Sequence, residues 1–315
     1  MNSSKIMKHF GIKTDEAPIS IYPFSPVYKV QHTTGNIIIK RTQQPLEKAK
    51  RLMKYLLHLR KNKIDIVTPV VLDRENPIEM EDACYVAYPF IEGEGYIASE
   101  KSIKEAGRLL GSIHRLSEST NTYQLPEYNV YDFTIEEVEE SMAAIRRYAM
   151  PYKEDVQVPK LRKRLLKVVG QQDEIKHAKL PHVATPHDYK ANNLVYTPEP
   201  FLIDPDNATW IPRIFDLALV LLLFHNELET APDRTFTPDE WYIFMDGYTE
   251  YVRLTMEEKH FWKKAVEHVF LDEVMWLMAE VPEDWKSPSQ RNLFQSIVHL
   301  LFHIENYFML RTNTW

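Results

Sequence analysis

The order of apolar and polar positions divides the chain into two stretches of different character. Across residues 19–41 apolar residues gather in short runs, Val27-Tyr-Lys-Val-Gln-His and then Ile37-Ile-Ile-Lys, separated by Thr33-Thr-Gly-Asn. Gly35 and Asn36 tolerate the backbone of a tight turn, so the pattern predicts an antiparallel hairpin with Lys40 near the end of its second strand. Residues 46–61 place Leu52, Leu56 and Leu59 among basic residues at helical spacing, and Pro45 suits a helix start. Residues 66–72 and 84–91 read as two more strands. Beyond Glu92-Gly-Glu-Gly-Tyr, helical periodicity takes over at 102–116, 134–149, 160–169, 214–227, 238–251, 256–279 and 287–310. One extended island interrupts it: Asn193-Leu-Val-Tyr, the turn-like Thr197-Pro-Glu-Pro, and Phe201-Leu-Ile-Asp. The expectation is an α+β protein of two lobes, a small β-rich unit over 1–91 and a large, mainly helical unit over 92–315 with one embedded hairpin.

Composition narrows the function. The 315 residues include 45 acidic and 38 basic ones, a formal charge of −7, which argues against non-specific nucleic-acid binding. The longest apolar run, residues 217–224, is far short of the roughly 20 residues needed to span a bilayer, and the first residues lack the apolar core of a signal peptide. With one cysteine, Cys84, no intrachain disulfide can form, so a soluble cytoplasmic protein is expected. Only 8 residues are glycine, against the roughly 22 that average usage of about 7% would give. Neither of the glycine-rich phosphate loops, G-x-G-x-x-G and G-x-x-x-x-G-K-[ST], occurs.

The candidate chemistry lies in Pro186-His-Asp-Tyr-Lys-Ala-Asn-Asn-Leu-Val-Tyr and the strand that follows it. Asp188 precedes Asn193 by five residues, and Asp204 ends the second apolar run. Phosphoryl transfer needs a carboxylate at the acceptor hydroxyl and hard oxygen ligands for a divalent cation, and these three residues can supply both from one hairpin. Taken singly, each is an ordinary loop residue. A second reading of the same stretch is a metal-dependent phosphohydrolase using His187 and Asp188, with His182 and Asp216 as further ligands.

Val27-Tyr-Lys-Val with Gly35-Asn-Ile-Ile-Ile-Lys, Phe90-Ile-Glu-Gly, Gly107-Arg-Leu-Leu-Gly-Ser-Ile-His, His187-Asp through Asn193, Leu202-Ile-Asp-Pro-Asp and Phe215-Asp-Leu-Ala stand in an order that resembles the aminoglycoside phosphotransferase and choline kinase family. The resemblance covers about residues 19–222 and extends to that family's spore-coat kinase-like and homoserine kinase-like branches. It implies a protein-kinase-like bilobal fold and transfer of a phosphoryl group from ATP, with Mg²⁺, to a hydroxyl of a small molecule. Aminoglycoside, choline, homoserine and similar acceptors stay open. Carried over by position, Asp188 would accept the hydroxyl proton, Asn193 and Asp204 would bind Mg²⁺, and Lys40 would hold the α and β phosphates. Glu47 would pair with Lys40, and Asp216 would brace the catalytic loop through its backbone. The nucleotide base would lie against Tyr88-Pro-Phe-Ile-Glu. Pro89 has no N–H, so Phe90 or Ile91 must supply the donor.

Three departures from the family pattern stand out. Pro186 occupies the place where a histidine is usual, two residues before Asp188. The loop Tyr22-Pro-Phe-Ser-Pro-Val-Tyr, which would cover the phosphates, has no glycine, and Pro205 separates Asp204 from Asp206, which reads either as a second metal contact or as a turn residue, with the turn favoured. These departures keep a second function open, a kinase-fold binding or assembly protein with little or no turnover. Elsewhere, Gly107 and Gly111 are expected to allow close helix packing. Leu161, Leu165 and Leu166 form the buried side of a basic helix, while His114 and Val274-Met-Trp-Leu-Met belong to the core.

Overall fold

The computed structural model describes residues 3–12, 18–21, 26–33, 35–42 and 44–308. The glycine-free loop expected over the phosphates falls mostly outside this set. The chain starts in a helix the sequence pattern did not announce, α1 (Ser3–His9). Strands β1 (Val27–His32) and β2 (Gly35–Thr42) form the expected hairpin, with Val27 opposite Lys40 and His32 opposite Gly35. That register puts the turn earlier than expected and makes Gly35, at φ 116°, the first residue of β2. Helix α2 (Leu46–Lys61) turns Ala49, Leu52, Tyr55, Leu56 and Leu59 inward.

The expected strand at 66–72 does not form. Ile66 makes only an isolated parallel bridge to Leu202, and the N–H of Val67 donates to the Leu202 carbonyl at 3.0 Å. Pro69, with no N–H to donate, stands where that ladder would have to continue. The sheet instead takes β3 (Ile78–Met80) and β4 (Ala83–Pro89), giving the order β1-β2-β4-β3. Its outer face is closed by the start of the chain: Ile6, Met7, Phe10 and Ile12 cover Tyr28, Ile37, Ile39 and Tyr85.

Beyond β5 (Glu94–Gly95) the remaining structure is chiefly helical. Helix α3 (Glu100–Arg115) starts at Ser99, whose hydroxyl accepts the Ser102 N–H. Helix α4 (Ile135–Ala149) starts on a reciprocal Thr134–Glu137 capping box. Helices α5 (Val158–Val169) and α6 (Gln172–Lys176) follow, and Leu161, Leu165 and Val168 form the buried side of α5. Two small sheets then shape the site. Strand β6 (His182–Thr185) pairs with β9 (Thr209–Pro212), while β7 (Leu194–Tyr196) lies between β5 and β8 (Pro200–Leu202). Helices α7 (Arg213–Leu223), α8 (Pro238–Thr249), α9 (Met256–Val269), α10 (Met275–Glu280) and α11 (Pro288–Phe302) complete the fold. A π-helical turn, Phe270–Val274, joins α9 to α10.

Helices α3 and α8 touch backbone to backbone. A Cβ on Gly111 would lie 2.5 Å from the Tyr248 carbonyl oxygen, and one on Gly107 would collide with that of Phe244. Gly247 meets the Lys104 carbonyl in the same way from the other side. This contact fixes α3, and Tyr189 of the loop 186–193 donates its hydroxyl to the Ala106 carbonyl on that helix at 2.8 Å. The main apolar core crosses the expected lobe boundary, because Leu52, Tyr55 and Leu56 of α2 share it with Leu110, Leu202 and Phe215. Among the described residues no helix is long and apolar enough to cross a membrane.

Candidate active site

Between the four-stranded sheet and the helical lobe lies a cleft of about 690 Å³. Lys40, Phe90, Ile91, Asp188, Asn193 and Asp204 all line it, although the sequence separates the first from the last by more than 160 residues. Glu47 is the one candidate residue that the fold leaves out.

The loop 186–193 is held by bonds to its own backbone and to a buried carboxylate. Asn193 donates its side-chain amide to the Asp188 carbonyl at 2.9 Å, and its own carbonyl accepts the Ile203 N–H. His187 and Asp188 both have positive φ, 55° and 47°, which costs an L-residue on the order of 1–2 kcal/mol each. Such a conformation persists only where surroundings impose it. Here they include Asp216, fully buried on α7, whose carboxylate accepts from Thr185 Oγ1 at 3.0 Å. It also bonds His187 Nδ1 at 3.1 Å and His114 Nε2 at 3.0 Å. Asp216 thus braces the loop through side chains, not through the backbone bonds that the resemblance implied. His187, adjacent to Asp188, does this bracing from a different place than the usual histidine, which Pro186 replaces. His114 is buried as expected, yet it is a polar partner of Asp216 and of the Tyr248 hydroxyl.

Charges in the loop follow from burial and pairing. Burial pushes the Asp188 carboxyl up from its usual range, while Lys190 pulls it back from 3.3 Å and Glu227 opposes Lys190. Burial alone would lower the His187 imidazole, but its bonds to Asp216 and its approach to Glu273 raise it to about 10. Burial likewise works against the Asp216 charge, and the two histidines more than offset it, holding the carboxyl far below the usual carboxylate range.

On the opposite wall, the Lys40 ammonium bonds Asp204 and lies 3.3 Å from Asp206 Oδ2. Burial lowers the lysine pKa, but the two carboxylates outweigh it and the net direction is up. Asp206 is raised by burial and by Asp204 against the pull of Lys40, because two carboxylates share one ammonium. Asp206 lies in the turn expected after Pro205, closed by the Ala208 N–H on the Pro205 carbonyl, and is at the same time a buried member of the site. Its Oδ1 accepts the Tyr88 hydroxyl at 3.3 Å, and its Oδ2 is buried with no hydrogen bond. The expected Lys40–Glu47 pair is not formed. Glu47 lies in the first turn of α2 on the solvent side and accepts from Lys50 at 3.1 Å. Since α2 contains no other acidic residue, no second carboxylate of that helix can replace it.

The segment joining the lobes offers one edge to the cleft. The Phe90 N–H donates to the Asn36 carbonyl at 2.9 Å and is therefore committed to the sheet. In an antiparallel pair the next position along the strand turns its polar groups the other way. Ala87 shows the alternation, its N–H going to Asn76 Oδ1 and its carbonyl accepting from Val70 on the edge away from β2. Pro89 presents its carbonyl on that same edge, and the Ile91 N–H has no partner among the described residues. Of the two expected donors, Ile91 is the available one. The Phe90 ring lies under the Lys29 ammonium at 3.5 Å.

A model of the phosphotransferase enzyme family matches residues 24–251. The chain belongs to that family. As a small-molecule phosphotransferase it has fold relatives among solved structures, each too distant in sequence to show more than the fold. A spectinomycin phosphotransferase, solved with ADP and spectinomycin, is 15% identical with a TM-score of 0.65, covering 96% of this chain and 97% of its own. An amicoumacin kinase, solved with AMP-PNP, Ca²⁺ and its antibiotic, is 12% identical with a TM-score of 0.64, covering 99% and 96%. A microcompartment-associated aminopropanol kinase is 12% identical with a TM-score of 0.66, covering 97% and 98%. No curated protein matches.

Within this phosphotransferase, Lys190 is a cleft residue that the sequence did not single out, whereas Tyr88, expected beside the base, and Asp206, readable as a metal contact or a turn residue, both line the cleft. The phosphohydrolase reading does not survive. His182 turns Nδ1 to the Leu180 carbonyl and stacks on Trp210, and Asp216 is sealed by its three side-chain partners. Asn193 and Asp204 line the same cleft and carry oxygen atoms of the kind a hard divalent cation takes.

Proposed function

We propose that this phosphotransferase moves the γ-phosphoryl group of ATP to a hydroxyl of a small molecule. The observation that carries the reading is the one cleft that gathers Lys40, Asp188, Asn193 and Asp204 beside a carbonyl–amide edge. Adenine presents an N–H donor next to a ring-nitrogen acceptor, the complement of the Pro89 carbonyl and the Ile91 N–H. Guanine presents the reverse order, so this edge favours ATP over GTP. Residues 1–91 would hold the nucleotide and 92–315 the catalytic loop and acceptor site.

Asp188 would orient the acceptor hydroxyl and take its proton. Its backbone conformation is imposed from below by Asp216 and from the side by Asn193, so the carboxylate is aimed before substrate arrives. Lys40 would neutralise the α and β phosphates. Asn193 and Asp204 would hold Mg²⁺, which when bound stabilises charge on the phosphate oxygens. Lys190, between Asp188 and Glu227, adds a positive charge on the side where the transferred group would lie.

The test is ATP turnover with Mg²⁺ across a panel of aminoglycosides, amino alcohols, choline, homoserine and sugars. Transfer to at least one acceptor is expected. Asp188→Asn should lower kcat about a thousandfold while ADP affinity stays within twofold of wild type. Nucleotide binding with no transfer to any acceptor would favour the assembly or binding reading. Against that reading stands the gathering of Lys40, Asp188, Asn193 and Asp204 on one cleft.

A further inference from the structure

The cationic lysine of the cleft has lost its helix partner, and the fold supplies another. Glu47 is the only acidic residue of α2, and it faces solvent beside Lys50. Asp204, the other carboxylate on Lys40, has a side chain about half exposed to the cleft. Asp206 is different. It is 8% exposed, with one oxygen 3.3 Å from Lys40 and the other accepting from Tyr88, itself buried on β4. Burial keeps the Tyr88 phenol protonated, so it is a donor at any working pH. The chain of contacts Tyr88–Asp206–Lys40 links the strand beside the inter-lobe segment, the loop after β8 and the strand that carries the lysine. Its two carboxylate oxygens are both directed into this chain.

We propose that Tyr88 and Asp206 are the positioning residues of Lys40, doing through the loop after β8 what a helix carboxylate would otherwise do. This inference rests on the nucleotide reading above. The lysine meets phosphate and not the base, so the pair controls affinity for the phosphates alone. A ligand of Mg²⁺ would matter only when the metal is present, whereas a lysine anchor matters without it.

Calorimetric titration with adenosine and with ADP, both in EDTA, separates these cases. Tyr88→Phe, which keeps the ring in the core, and Asp206→Asn should each weaken ADP about tenfold, the scale of one charge-assisted contact, and leave adenosine within twofold. Glu47→Ala should change neither. The proposal is overturned if Tyr88→Phe binds ADP as wild type does, or if adenosine affinity falls in step with ADP, since that pattern means damage to the base site. It is equally overturned if Glu47→Ala weakens ADP, or if Asp206→Asn matters only once Mg²⁺ is added. A wild-type protein that binds neither ligand overturns the nucleotide reading itself, and this inference falls with it.

Discussion

The loop residues around Asp188 carry the most legible part of the site. Asp188, Asn193 and Asp204 could be singled out from the chain because each sits on or beside a loop whose geometry is set within a few residues, as in the Asn193 amide that closes on the Asp188 carbonyl. Lys190 was not legible, because its worth depends on Glu227, which sits at a left-handed position beyond the end of α7. Lys190 opposes the effect of burial on Asp188. Lys190→Met should therefore raise the Asp188 pKa further and move the acid limb of kcat/KM to higher pH. An acid limb that stays in place or moves down would show that Lys190 does not govern the base. Glu47 was misread for a related reason: sequence places a residue on a helix, but the rotation of α2, set by Leu52, Tyr55 and Leu56, decides which way it faces.

Among the elements, the loop 186–193 and the α3–α8 contact make separate claims. His187 has a folded pKa of about 10 against an ordinary 6.5, so its pairing with Asp216 and Glu273 contributes fully below about pH 6.5 and is lost as pH rises toward 10. Asp216, held low, contributes above the ordinary carboxylate range and loses that contribution on acidification. The melting temperature of wild type should fall between pH 7 and 10 more steeply than that of His187→Asn; parallel curves would remove the imidazolium from the account. At the helix contact, Gly111→Ala must push Tyr248 away and should destabilise by on the order of 2–3 kcal/mol in urea unfolding. A change under 0.5 kcal/mol would mean that the helices separate freely. The Gly107-x-x-x-Gly111 spacing was enough to expect close packing, but Gly247 as the opposing surface was not, since it belongs to a helix more than 130 residues away.

At the scale of the molecule, the core that runs from α2 into Leu202 and Phe215 joins the lobes. A single cooperative thermal transition is expected, rising by about 2.7 kcal/mol of added stability when ADP with Mg²⁺ reaches a hundred times its Kd. Two transitions, with only one responding to nucleotide, would show lobes that unfold independently. The sequence alone determined the lobe order and most helices and pointed to Asp188, Asn193 and Asp204, since apolar periodicity and short-range spacing report on local structure. It also excluded glycine-rich phosphate loops, consistent with a cleft built from a lysine, carboxylates and strand-edge backbone groups. Tertiary structure alone decided that Asp204 and Asp206 and not Glu47 pair with Lys40, which N–H faces the cleft, and that the segment around Ile66 pairs with Leu202 instead of the small sheet. Each of those depends on groups brought together from distant parts of the chain, where side-chain direction and burial, and not local propensity, set the outcome.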